Sequence, residues 1–112
     1  MAISNPLSVP QSSNSNLITF DNCINRSIDL AANSPNSFLK ANSKRIYAAF
    51  VNNSASQITL SLGDIAGAKV GQGILLSPYG GSFEISSINL YVGAISAVSS
   101  QSSSLSFVEC SF

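Results

Sequence analysis

Between residues 45 and 62 apolar side chains recur at every second position, and this spacing constrains the fold more than any other feature. Arg45 to Val51 places Ile46, Ala48 and Phe50 on one face and Tyr47, Ala49 and Val51 on the other. Two largely apolar faces predict a central strand. Asn52-Asn53-Ser54 reads as a turn. Ile58, Leu60 and Leu62 then alternate with Thr59 and Ser61, the period-two signature of a strand with one wet face. Residues 63–73 form a glycine-rich loop carrying Asp64 and Lys69. Ile74 to Leu76 is a brief strand, stopped by Ser77-Pro78-Tyr79-Gly80-Gly81. Phe83 and Ile85 alternate around Glu84. Residues 88–98 read as a strand in which Gly93 marks a bulge or a close backbone approach. After a loop over 99–104, Leu105, Phe107 and Cys110 form the last strand.

The first third is less definite. Residues 17–30 fit either a strand pair or one helical turn, Asn33-Ser34-Pro35-Asn36 is a turn, and Phe38-Leu39-Lys40 is a short strand or bridge. No segment keeps a long 3.6-residue period, and no internal repeat is present. The expected fold is all-β: an antiparallel β-sandwich or small barrel with an extended N-terminal arm. The chain's 112 residues suit a single domain over 17–112, preceded by the arm at 1–16. The arm holds Pro6 and Pro10, then six polar residues from Gln11 to Asn16. Apart from Met1, its only large apolar side chains are Ile3, Leu7 and Val9, too few for a core of their own. Ile3, Pro6, Leu7, Val9 and Pro10 are therefore expected to contact either the chain's own domain or a neighbour.

Charge is scarce. Five Lys+Arg and five Asp+Glu balance to a net +0, and charged residues make up 9% of the chain, against about 25% in ordinary soluble domains. Ser (24) and Asn (11) take their place. Residues 1–20, 46–63 and 85–108 carry no charge at all. Depletion of this kind marks surfaces that meet other subunits. A homo-oligomer is expected; the alternative is a monomer kept soluble by its dense Ser and Asn hydroxyls and amides. Five scattered cations neutralise too few phosphates for nucleic-acid binding. No run is apolar enough to span a membrane as a helix, and Met1 to Pro6 shows no signal-peptide pattern.

The chemistry is equally restricted. Without His, Ser–His and Cys–His catalysis and His metal sites are excluded. Lys40, Lys44 and Lys69 have no serine in a supporting motif. Asp21, Asp29, Asp64, Glu84 and Glu109 read as solvated or turn-capping carboxylates. No enzyme, no catalytic residue, no cofactor and no metal is expected. Cys23 and Cys110 are expected as reduced, buried thiols; the alternative is one disulfide closing nearly the whole chain. Lys40, Lys44 and Arg45 form the only basic cluster, expected at a solvated strand entry. Tyr79 is the one aromatic expected to stand exposed as a ligand platform.

Arg45-Ile46-Tyr47-Ala48-Ala49-Phe50-Val51-Asn52-Asn53, then Ile58-Thr59-Leu60-Ser61-Leu62-Gly63, Leu75-Leu76-Ser77-Pro78-Tyr79-Gly80-Gly81, Gly93-Ala94-Ile95-Ser96-Ala97 and Phe107-Val108-Glu109 together make a pattern. It resembles one in small structural proteins of tailed bacteriophage virions. The resemblance covers residues 45–109 and implies a β-sandwich virion component without catalytic residues. It implies a capsid decoration (cement) subunit that bridges major capsid proteins, with a tail, fibre or receptor- and glycan-binding module as the alternative. It also implies a place in the virion, assembled in the host cytoplasm. A trimer is the expected oligomer. Such a subunit holds a lattice by avidity, through several modest contacts, and an extended arm adds backbone hydrogen bonds at a neighbour's strand edge.

Overall fold

The structure is a computed structural model and describes residues 19–112. The arm contacts expected at Ile3, Pro6, Leu7, Val9 and Pro10 lie outside the described residues. Eight strands follow one another: β1 (Asn22–Leu30), β2 (Asn36–Leu39), β3 (Arg45–Asn52), β4 (Ile58–Leu62), β5 (Ile74–Leu76), β6 (Ser82–Ile85), β7 (Ile95–Val98) and β8 (Ser103–Ser111). The described residues contain no α-helix, only a 3-10 turn at Ile65–Gly67.

The strands form two four-stranded antiparallel sheets, in the orders β1-β8-β3-β6 and β2-β7-β4-β5. Only the β4–β5 link stays within one sheet; every other connection crosses to the opposite layer. Two sheets of four wound in this way make the double Greek key of a jelly roll. The sandwich expectation holds, and β3 is a central strand as its doubly apolar pattern predicts.

The core lies between the sheets. Ala48 and Phe50 of β3, Ile58 and Leu60 of β4, Ile85, Ile95, Ala97, Leu105 and Phe107 are all buried. Each large side chain contributes about 1.5–3 kcal/mol by leaving water. Phe38, Phe50, Phe83 and Phe107 gather in one cluster, with ring centroids 4.9–6.4 Å apart.

Three local expectations are corrected. The supposed wet face of β4 is covered: Thr59 and Ser61 are buried. The 63–73 loop folds back over the strand, and the Gly71 amide donates to Thr59 Oγ1 at 2.9 Å. Gly73 makes this approach possible, since a Cβ there would lie 2.2 Å from the Leu60 carbonyl oxygen. Residues 88–98 do not form one strand; pairing begins at Ile95. Backbone groups before it bond elsewhere: the carbonyls of Tyr91 and Gly93 accept from Arg45, and that of Val92 accepts from the Asn42 amide. Residues 22–30 form one strand rather than a strand pair or a helical turn.

The cysteines are a fourth correction. Cys23 and Cys110 form a disulfide. β1 and β8 pair along their whole length, and this register sets the two residues directly opposite one another. Sequence spacing of 87 residues gave no hint of that proximity.

Candidate functional site: the loop end of the sandwich

Antiparallel register sorts the loops. β1, β3, β5 and β7 end, and β2, β4, β6 and β8 begin, at the same end of the sandwich; for example, Leu30 lies opposite Ser103, and Val51 opposite Ser82. The four connections 31–35, 53–57, 77–81 and 99–102 are therefore neighbours. None of them contains a charged residue. They consist mainly of Ser, Asn, Gln, Gly and Pro, with Tyr79 as their one aromatic. The opposite end carries Asp21, Lys40, Lys44, Asp64 and Lys69.

Hydrogen bonds tie these loops into one cap. Asn52 is fully buried at the end of β3. Its Nδ2 donates to the carbonyls of Ser56 (2.7 Å) and Leu76 (3.0 Å), and its Oδ1 accepts from the amide and hydroxyl of Ser54. The Asn52 amide donates to the Gly81 carbonyl, and the Gly80 amide donates back to the Asn52 carbonyl at 2.7 Å. Across the layer, the Asn33 amide donates to the Ser99 carbonyl at 2.7 Å, and the Ser99 hydroxyl donates to the Gln57 carbonyl at 2.8 Å. Every loop of the end is held to another.

Tyr79 crowns this cap. Its φ is 57°, the left-handed region that costs an ordinary residue about 1–2 kcal/mol. The turn holds it there: the Tyr79 amide donates to the Ser54 carbonyl at 2.9 Å, and the Gly81 amide donates to the Ser77 carbonyl at 3.0 Å. Gly81 cannot carry a side chain, because its Cβ would lie 2.2 Å from the Ser77 nitrogen. The result is a hydrogen-bonded backbone that carries a residue 78% exposed. The exposure expected of Tyr79 is thus present. Beside the turn lies a shallow hollow lined by Asp29, Leu30, Ala31, Ser54 and Ser102–Ser104.

The basic cluster is not assembled as expected. Lys40 and Lys44 are exposed, but Arg45 is 1% exposed. Its Nε donates to Glu109 Oε2 at 2.8 Å, its Nη1 to the Tyr91 and Gly93 carbonyls, and its Nη2 to the Lys40 carbonyl. Asn42 Nδ2 completes the group, donating to Ser111 Oγ and Glu109 Oε2. Removing one member of such a buried pair costs about 3–5 kcal/mol. Arg45 is therefore a structural pin.

The middle of the outer face of the β1-β8-β3-β6 sheet is a second surface of note. Asn25, Arg26, Ser27, Ala49, Val51, Ser106, Phe107 and Val108 line a shallow open groove there; Arg26 pairs with the core residue Phe107, so strand alternation places both on the sheet's other face. At its edges, Tyr47 donates to Glu84 Oε2 at 2.6 Å and stacks on Phe20.

Sequence reasoning missed Asn52, Ser54 and Asp29. The signal for Asn52 was parity: it follows Ala48 and Phe50 on the inward face, so a polar side chain there needs partners inside. Nothing in the sequence placed Asp29 beside Ser54. No protein-family model, curated protein or solved structure matches the chain.

Proposed function

We propose that the protein is a non-enzymatic structural subunit of a virion, a capsid decoration subunit whose partner is the major capsid protein. The observation that carries an assembly role is the uncharged centre of the β1-β8-β3-β6 face, where Asn25, Ser27, Ala49, Val51, Ser106 and Val108 form a broad, open surface. A surface with small side chains and no central charge suits contact with another protein. The virion assignment itself rests on the resemblance over 45–109. Two structural features support it. Jelly rolls recur in capsid proteins, which is support by analogy. A disulfide suits a protein that works outside the reducing cytosol, as part of a released particle does.

The test is to place charge on the face. Ser27→Glu and Val51→Glu substitute solvent-accessible positions. Each is expected to leave the circular dichroism spectrum unchanged and to reduce co-sedimentation of the purified chain with capsids lacking it. Undiminished co-sedimentation of both variants counts against the proposal.

A further inference from the structure

We propose that the loop end is a binding site for a neutral carbohydrate, with the Tyr79 ring as its stacking platform and the hollow lined by Asp29, Ser54 and Ser102–Ser104 as the seat of an adjoining sugar. This inference stands apart from the assembly role, because it uses a different surface.

Three observations point to the ligand class. First, the four loops carry no charge, so the end offers nothing to an ionic ligand except the carboxylate of Asp29. Second, the polar groups that remain are hydroxyls, side-chain amides and backbone groups, which donate and accept in both directions. A sugar presents the same two-way hydroxyls, together with an apolar C–H face that lies well against an aromatic ring. A carboxylate such as that of Asp29 accepts from two neighbouring hydroxyls of one sugar. Third, Tyr79 displays its ring on a backbone fixed in the left-handed region by the loops around it. Held strain of this kind clusters at binding sites, and a backbone already fixed in place loses little freedom when a ligand arrives. Ser54 joins the two halves: its carbonyl accepts from the Tyr79 amide, and the residue also lines the hollow. The mixture of a rigid Tyr with Ser, Asn and Gly is one that recognition loops use for contact area together with adaptable hydrogen bonding.

The experiment applies the full chain to an array of neutral, sulfated and sialylated oligosaccharides. Retention of neutral oligosaccharides is expected, and added salt should not weaken it, because no ion pair is involved. Tyr79→Asn removes the ring while keeping a residue that tolerates positive φ, so the variant should fold. It is expected to lose about tenfold or more in affinity for the retained sugar. Tyr79→Phe keeps the ring and should stay within about threefold of the parent. Asp29→Asn should weaken binding, and Ser27→Glu on the sheet face should leave neutral-glycan retention unchanged. Failure to retain any neutral oligosaccharide, retention of charged ones alone, or equal binding by the parent and Tyr79→Asn would overturn the proposal. Capture of a peptide partner at Tyr79 in place of sugars would do the same.

Discussion

Tyr47 shows how one contact changes the chemistry of a side chain. Its hydroxyl donates to Glu84 at 2.6 Å. That bond holds the phenol protonated and raises its pKa above the ordinary tyrosine range; partial burial and the negative charge of Glu84 push the same way. A raised folded-state pKa sets the sign of the effect. The contribution to stability is complete below the unfolded tyrosine value of about 10 and is lost as pH rises through the higher folded value. Glu84→Gln is expected to bring the ionisation of Tyr47 down, as followed by phenolate absorbance with Tyr47→Phe as the reference. At this scale the sequence was partly legible. The exposure of Tyr79 followed from its Pro-Tyr-Gly-Gly turn. The burial of Arg45 did not follow from its neighbours Lys40 and Lys44, because it depends on Glu109, 64 positions away.

Among the elements, the failure at Arg45 has a definite cause. Counted by alternation from Tyr47, Ala49 and Val51, Arg45 belongs on the outer face. β3 contains a bulge between Arg45 and Tyr47, so Tyr47 faces Cys110 while Arg45 faces Ser111. The extra residue turns Arg45 inward to Glu109. A bulge leaves no mark on a period-two pattern that both faces already satisfy. The 88–98 segment failed for a related reason: its apolar residues look like a strand, but Arg45 and Asn42 take the backbone carbonyls that a ladder would use. By contrast β3, β4, β5, β6 and the start of β8 were legible, because each is a short alternating run between turn residues. The disulfide also belongs to this scale. It joins an edge strand to the strand beside it across 87 positions. Constraint of so long a loop in the unfolded chain is worth about 4.6 kcal/mol in the chain-entropy model. The double variant Cys23→Ser/Cys110→Ser is expected to lose about 2–4 kcal/mol of unfolding free energy in denaturant titration.

For the whole molecule, the buried core among the described residues runs from Leu30 to Phe107, and the sequence of 1–16 holds few apolar side chains. Deleting 1–16 is therefore expected to leave the melting temperature within a few degrees of the parent while weakening assembly, as read by light scattering and capsid co-sedimentation. Assembly equal to that of the full chain would remove the arm's proposed role. Fold class was legible in the sequence because turn spacing and alternation are local properties. The loop-end cap was not, because it joins residues from four connections that only sheet register brings together.

The strand orders carry one more consequence, which concerns synthesis. β8 lies between β1 and β3, and β7 lies between β2 and β4. The last two strands of this sandwich to be synthesised are thus interior strands, one in each sheet. Until residues 95–111 emerge, β1 has no partner strand in its sheet and β2 has none in the other. β3 can pair with β6 and β4 with β5 before then, but β1 and β2 must wait unpaired for the segment 95–111. Folding is then a late event dominated by distant contacts, which makes it intrinsically slow. The nascent chain is exposed to aggregation until that point, and the Cys23–Cys110 bond can close only after the end of β8 has arrived.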